Sequence, residues 1–298
     1  MTTSDTATNP PVDGEVLVIA RGRFDWSFGL RDVWQYRAYL SHLLAREVRG
    51  RYRPTSFGHL WLFIRPLLEM LVYALVFGVL FGVRTAEMPY PLYLYSGLIL
   101  WIFLMSSVVR AGSSLASSRG LMDKIYFPRM IVPLIQIGAN ALDFVMAALV
   151  IGLLVFYYAV ISPFAFGSER FLPDPGWAIL LLPVFVALLL AFVVATSLLV
   201  AVWQVFSADV GLVLPVVLRL MMYLSPVVYS VDHVPAQFRS YYELNPVCIL
   251  LQGFRWTLLG GPPPRLLPTL LAIGLILALV AIALLAFRRV ERSMVDIL

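Results

Sequence analysis

Long apolar segments dominate this sequence and constrain its fold more than any other feature. A helix needs about 20 apolar residues to cross about 30 Å of hydrocarbon, and six segments of the 298-residue chain meet that requirement approximately. Hydrophobic residues make up 61% of the chain and charged residues only 13%, which excludes an ordinary soluble domain. The predicted spans are Trp61 to Val83, Leu92 to Val109, Ile131 to Val160, Trp177 to Phe206, Leu212 to Tyr229, and Leu266 to Phe287.

The distribution of Arg and Lys predicts the orientation of these spans. Basic residues concentrate before the first span, between the second and third, and after the last, whereas the other loops carry few. Since cytoplasmic loops are enriched in Arg and Lys, we expect both termini in the cytoplasm of a cytoplasmic-membrane protein. The segment "VCILLQGFRWTLL" is too short to span and predicts a re-entrant or interfacial helix.

The residues around the spans predict four regions. Residues 1–30 are polar and predict a flexible cytoplasmic arm. Residues 31–58 alternate aromatic and Leu positions with Arg at helical spacing, which indicates an amphipathic helix in the headgroup plane with its Arg side chains facing anionic lipid; a soluble helix packed on a partner is the alternative. Residues 59–290 form the predicted transmembrane domain, and residues 291–298 a cytoplasmic tail.

Catalytic and nucleotide-binding patterns are absent. A P-loop needs a Gly-Lys-[Ser/Thr] sequence, and the chain's only lysine, Lys124, precedes Ile125. The carboxylates are scattered and the histidines lie far apart, so the sequence predicts no metal site, no catalytic residues and no cofactor of its own. The single Cys248 predicts packing rather than a disulfide, and the excess of Arg carries no indication of nucleic-acid binding.

Polar and aromatic residues within the spans recur at helical spacing. Since ionisable groups in a membrane are costly, such faces are expected to look into protein or water. Gln136, Asn140 and Asp143 form one such face, and Arg65 can pair with Glu69. As a conduit wall, an aromatic face would let sugar rings stack and slide; as structural glue, it would only pack helices together. The predicted channel lining is Glu69, Tyr73, Phe77, Phe81, Arg219 and Tyr223.

Four ordered motifs carry a resemblance to a known family. They are "REVRGRYRPTSFGHLWLFIRPLLEM", "YLYSGLILWIFLMSSVVRAGSSL", "LMDKIYFPRMIVPL" and "LSPVVYSVDHVPAQFRSYYELNPVCILLQGFRWTLLG". Over residues 30–290 the chain resembles the membrane subunit of ABC type-2 exporters for polysaccharides and polyol phosphates. The resemblance implies an all-α membrane fold with six transmembrane helices, an N-terminal interface helix and short external re-entrant helices between spans five and six.

The resemblance also implies partners. The chain would pair with a second copy of itself, contact membrane lipids, and work with two copies of an ABC ATPase subunit that bind ATP and Mg²⁺. The loop after the second span would hold a coupling helix for that ATPase, with aromatic anchors and charged neighbours. Its residues would be Met122, Asp123, Lys124, Tyr126, Phe127 and Arg129.

The same resemblance places an external gate after the fifth span. Pro226 is expected to break the fifth helix, and Asn245 with Pro246 to form a turn between two short helices. The gate residues would be Tyr229, Tyr241, Tyr242, Asn245 and Trp256.

The function that these observations predict is export of a lipid-linked polysaccharide or teichoic-acid-like polymer, driven by a separate ATPase. Three alternatives stay open: an ABC type-2 permease for lipids or drugs, a proton-coupled secondary transporter with Glu69 or Asp143 as carrier, and a membrane glycosyltransferase.

Overall fold

The computed structural model is helical, without strands, across the residues it describes, which are 37–52, 56–85, 88–117, 129–166 and 170–297. The principal helices of these residues are α1, Arg37–Tyr52; α2, Gly58–Leu80; α3, Tyr90–Ser117; α4, Ile131–Ala165; α5, Gly176–Phe206; α6, Asp209–Tyr223; α7, Ala236–Glu243; α8, Pro246–Leu259; and α9, Leu266–Ile297. The predicted flexible arm and the first residues of the predicted interface helix lie outside the described residues.

Within the described residues, five helices are long and apolar enough to cross a membrane, namely α2, α3, α4, α5 and α9. Helix α3 is the central one, since 78% of its apolar window is buried against the other helices. The corresponding share of α2 is 6%, so α2 lies at the periphery and leaves most of its apolar surface free. The helices α2, α4, α5, α6 and α8 all contact α3.

The fifth predicted span is shorter than the sequence suggested. Helix α6 has 15 residues, or about 22 Å, and does not reach across about 30 Å of hydrocarbon by itself. It ends at Tyr223 because Pro226 has no N–H group and restricts the residue before it. The chain turns there, with the Val227 amide donating to the Ser225 carbonyl at 2.7 Å.

The segment after α6 folds into the two expected short helices, α7 and α8. The Asn245 side chain caps α8 by accepting a hydrogen bond from the Val247 amide at 3.0 Å, and Pro246 occupies the first turn, where its missing N–H costs nothing. Gly260, with φ of 77°, ends α8 in the left-handed region. Asparagine and proline therefore form the turn that the sequence predicted.

Arg51 fixes α1 to α4. Its side chain, only 8% exposed, donates from Nη1 to Asn140 Oδ1 at 2.7 Å and Asp143 Oδ2 at 3.2 Å, and from Nη2 to Gln136 Oε1 at 2.8 Å. Its Nε group donates to Glu47 Oε1 at 3.2 Å. The expectation that the α1 arginines face lipid is therefore wrong for Arg51, because the polar face of α4 offers it fixed acceptors.

Tyr52 adds a second contact between α1 and α4. Its hydroxyl donates to Asp143 Oδ2 at 2.9 Å. Burial, and next the nearby Asp143 carboxylate, raise the pKa of the Tyr52 phenol, so the phenol keeps its proton and stays a donor at neutral pH.

Arg255 fixes α8 to α3 and to the turn after α6. The residue is 3% exposed, and its guanidinium donates to Ser96 Oγ at 3.2 Å and to the carbonyls of Tyr93, Pro226 and Val227 at 3.1, 2.9 and 3.2 Å. Its Cζ atom also lies 3.5 Å from the centroid of the Tyr93 ring. The sequence analysis placed Arg255 in a re-entrant or interfacial helix without a partner; the structure shows its side chain buried inside the protein.

Replacing Arg51 by Ala is expected to destabilise the fold. The change removes the described hydrogen bonds from α1 to Gln136 and Asn140 and leaves Asp143, among the described residues, with the Tyr52 hydroxyl, so the free energy of unfolding should fall by about 3 kcal/mol. Thermal unfolding of the detergent-solubilised chain measures this loss. Arg49→Ala is the matched control, since exposed Arg49 donates only to the Ala45 carbonyl on its own helix. Equal shifts for both variants would contradict the proposed contact.

Replacing Gly97 by Ala is expected to disturb the Arg255 contacts. A Cβ atom at Gly97 would lie 2.5 Å from Arg255 Nη2 and 2.9 Å from the Val227 carbonyl oxygen, and such overpacking costs about 1–3 kcal/mol of stability. Gly152→Ala is the control, because its Cβ atom would meet nothing within 4 Å and alanine favours a helix. Thermal unfolding should show a lower Tm for the first variant and an unchanged or higher Tm for the second.

Candidate functional site

A cavity of about 570 Å³ lies between α2, α3 and α6. Its walls combine mostly apolar side chains of α3, together with Ser106 and Arg110, with polar and charged side chains of α2 and α6. The residues that line it are Arg65, Glu69, Tyr73, Leu98, Trp101, Ile102, Met105, Ser106, Val109, Arg110, Pro215, Arg219, Met222 and Tyr223. We call this space the α2–α6 cavity.

A second cavity, of about 370 Å³, adjoins the first between α1, α2, α3 and α4. The two share four lining residues, Arg65, Ile102, Ser106 and Arg110. Asp143 lines the second cavity near the last residue of α1 and the first turns of α2. The two cavities therefore follow neighbouring sides of α3.

Four of the six predicted channel residues line the α2–α6 cavity. Glu69 and Tyr73 reach it from α2, and Arg219 and Tyr223 reach it from α6. Within the aromatic row of α2, the centroids of Tyr73 and Phe77 are 6.2 Å apart, so the predicted row of rings exists even where it leaves the cavity.

Phe77 and Phe81 do not line this cavity. Phe77 packs against the buried residues around α3, whereas Phe81 is 71% exposed and lies just after the end of α2. The stretch Ala74–Leu80 is a π-helix. The Phe81 ring still lies 5.8 Å from the Phe77 ring, so the row of rings continues past the cavity.

The predicted ion pair of α2 is confirmed. Arg65 Nε lies 3.1 Å from Glu69 Oε1, and the two side chains are 67% and 36% exposed. An exposed pair of this kind contributes little to stability, so its main effect is to place opposite charges on the cavity wall.

Two tyrosines of the predicted external gate contact each other. The hydroxyl groups of Tyr229 and Tyr242 are 2.7 Å apart, and the Tyr229 hydroxyl donates to the Tyr223 carbonyl at 2.6 Å. Asn245 Nδ2 donates to Ser225 Oγ at 3.2 Å. These contacts connect α7 and the start of α8 to the end of α6, the helix that also contributes Arg219 to the cavity.

The other two predicted gate residues lie apart from this cluster. Trp256 packs edge-on against Trp177, with ring centroids 5.5 Å apart, and against Phe185 at 6.4 Å. Tyr241 is 72% exposed. The five gate residues therefore form no single cluster.

Among the six predicted coupling residues, only Arg129 is described. It lies in the turn before α4, where its carbonyl accepts a hydrogen bond from the Val132 amide at 3.2 Å. The predictions for Met122, Asp123, Lys124, Tyr126 and Phe127 fall outside the described residues and stay predictions.

Three arginines that the sequence interpretation did not select have prominent positions in the structure. Arg51 and Arg255 are buried anchors, and Arg110 lines both cavities. The sequence signal that could have identified them is a charged residue within or next to an apolar segment, which requires a partner or water.

Comparisons with known proteins agree with this architecture. The family described as "ABC-2 type transporter" matches residues 39–259. The O-antigen export system permease protein RfbA of Myxococcus xanthus is 30% identical over 270 residues, which cover 88% of this chain and 96% of that protein. The polysialic acid transport protein KpsM of Escherichia coli is 23% identical over 220 residues, covering 74% of this chain and 80% of that protein.

A further relative has a less specific name. The inner membrane transport permease YadH of Escherichia coli strain K12 is 29% identical over 244 residues, covering 76% of this chain and 84% of that protein. The family match extends over most of the chain, from α1 to the end of α8, and includes both cavities and the Arg255 contacts. This chain belongs to the ABC-2 type transporter family.

Proposed function

We propose that this chain is the membrane subunit of an ATP-driven exporter that moves a lipid-linked polysaccharide or teichoic-acid-like polymer across the cytoplasmic membrane. The observation that carries the proposal is the match, over most of its length, to relatives named for O-antigen export and polysialic acid transport. The α2–α6 cavity, with Tyr73, Trp101 and Tyr223 on its walls, offers aromatic faces on which sugar rings can stack.

The active unit in this proposal is a pair of identical chains. Helices α2 and α6 border the cavity and carry exposed apolar side chains, including Leu71 and Leu75 on α2 and Val216 and Leu220 on α6. A second copy packed on these helices would enclose the cavity from the remaining side. Helix α6, together with the turn after it, would then act as the fifth of six spans, and α7 and α8 would enter the outer leaflet.

The basic residues indicate which ends of the helices face the cytoplasm in this proposal. Arg46 and Arg49 on α1 and Arg288 and Arg289 at the end of α9 would lie at the cytoplasmic surface, as the excess of Arg in inner loops requires. Two copies of an ABC ATPase would bind ATP and Mg²⁺ at that surface and contact the loop between α3 and α4. Tyr229 and Tyr242 would lie at the outer end of the path.

Transport by this chain is expected to require the partner ATPase. Proteoliposomes that contain both proteins should move a lipid-linked glycan to the inner face of the vesicle membrane when ATP is added outside. Omitting the ATPase, or replacing the lysine of its P-loop, should reduce transport to the background of empty vesicles, because the permease has no nucleotide site of its own. A protonophore serves as the control and should leave ATP-driven transport unchanged. Transport with a proton gradient and no ATPase would refute the proposal.

The segment between α3 and α4 is expected to bind the ATPase. Replacing Tyr126 and Phe127 together by Ala removes two aromatic anchors, which often dominate binding energy at protein interfaces. The variant should copurify with much less ATPase while the permease itself keeps its thermal stability. Phe238→Ala with Tyr241→Ala is the matched control, since both rings are exposed on α7, on the opposite side in this proposal. Unchanged copurification of the first variant would count against the docking role.

A further inference from the structure

Arg110 and Arg219 are open cationic side chains in the same cavity. Both line the α2–α6 cavity, and both are exposed to it. Within the described part of the chain, neither guanidinium forms a hydrogen bond or a salt bridge. Each guanidinium carries five N–H donors, so together they require acceptors from water or from a ligand that enters the cavity.

The carboxylates of the two cavities do not meet this requirement. Glu69 is paired with Arg65, and Asp143 accepts hydrogen bonds from Arg51 and the Tyr52 hydroxyl. Both acidic groups that line the cavities therefore already have partners, whereas the two arginines lack a hydrogen-bonded acceptor.

Arg110 and Arg219 lie at different distances from the end of the helix bundle where α3 ends and α6 begins. Gly112 of α3 lies against Gln204 near the end of α5, and Gly211 of α6 lies against the same residue, so the end of α3 and the start of α6 are neighbours. Arg110 lies about two turns before the end of α3, and Arg219 about three turns into α6. A guanidinium so far inside a membrane helix is costly unless an anion or water accompanies it.

The α3 wall of the cavity is largely apolar between Leu98 and Met105. Leu98, Trp101, Ile102 and Met105 of α3 line the same space as the two arginines. A ligand that satisfies both surfaces carries an anionic group with several acceptor oxygens next to a long apolar chain. Phosphate esters of lipids have this chemistry, and Arg binds phosphate oxygens in two-point contacts.

We propose that Arg110 and Arg219 form a binding site for the phosphate or pyrophosphate group at the lipid end of the exported substrate. The inference rests on the proposed export function and assigns one group of the substrate to two residues. The lipid chain packs along the α3 residues of the cavity, and the charged group leaves the Arg110 contact to reach Arg219 as it moves deeper.

The experiment measures binding of a fluorescent polyprenyl pyrophosphate to the full chain with its ATPase in phosphatidylcholine nanodiscs. Arg110→Gln with Arg219→Gln should weaken binding at least about tenfold, because charge-assisted hydrogen bonds are lost. Binding of the matching polyprenol, which has no phosphate, should not change. Arg84→Gln with Arg170→Gln is the control, since it removes the same two charges from exposed residues outside both cavities.

Arg110→Lys with Arg219→Lys distinguishes a loss of phosphate binding from a folding defect. This variant keeps both charges, so it should bind the pyrophosphate more tightly than the glutamine variant, with an unchanged Tm in all proteins. Equal binding of the probe to the wild type and the glutamine variant would overturn the site. Displacement of the probe by phosphatidylglycerol at equal concentration, with the same dependence on Arg110 and Arg219, would overturn the assignment to substrate and indicate a bilayer lipid.

Transport assays separate failure of this site from failure of the proposed function. If the glutamine variant exports the lipid-linked glycan at the wild-type rate, the phosphate site is wrong and the export function stands. If the wild type exports no glycan yet binds the pyrophosphate through both arginines, the export function is wrong and the site stands.

Discussion

The enclosure of the Arg255 guanidinium by the carbonyls of Tyr93, Pro226 and Val227 holds together the part of the structure that departs from simple spanning helices. Where the chain leaves a helix, backbone carbonyls lose their partners, and hydrocarbon offers no water to replace them. Arg255 supplies donors from α8 to the Pro226 and Val227 carbonyls in the turn that follows α6. The last carbonyls of α6 accept hydrogen bonds from the Leu224 and Ser225 amides and from the Tyr229 hydroxyl. The charge in turn obtains the acceptors that it needs to be buried.

The sequence predicted the helical class and the positions of the long helices because apolar length is a local property. It also predicted the Arg65–Glu69 pair, whose members are one turn apart. The polar face of α4 was predicted as a face, but its partner was not: Arg51 lies 92 positions from Asp143. Contacts between helices depend on how the faces are rotated against each other, and residue spacing within one helix does not contain that rotation.

The candidate site shows the same division between local and long-range information. Spacing selected Glu69, Tyr73, Arg219 and Tyr223, and the structure brings all four to one cavity. Phe81 does not line this cavity, although its ring lies 5.8 Å from that of Phe77, and its predicted place in the channel stays a prediction. The sequence analysis placed Arg255 in a re-entrant or interfacial helix but did not reveal the contacts that bury its side chain, because these join α8 to α3 and to the turn after α6, far apart in the sequence.

The arginines of this chain therefore serve two different physical purposes. Arg51 and Arg255 are buried and donate to several fixed acceptors. Separating either guanidinium from those acceptors would cost much more free energy than an exposed contact contributes. Arg65, Arg110 and Arg219 are exposed in the cavities, where a contact with a passing group can form and break at modest cost. A conduit for a long polymer must bind each sugar unit weakly, because a unit that was bound tightly would stop the polymer from moving. Ion channels meet the same requirement, since their binding sites must be weak enough to release the ion. In the proposed conduit, fixed anchors at α1 and α8 would hold the walls in place, and weak contacts between them would leave the polymer free to move.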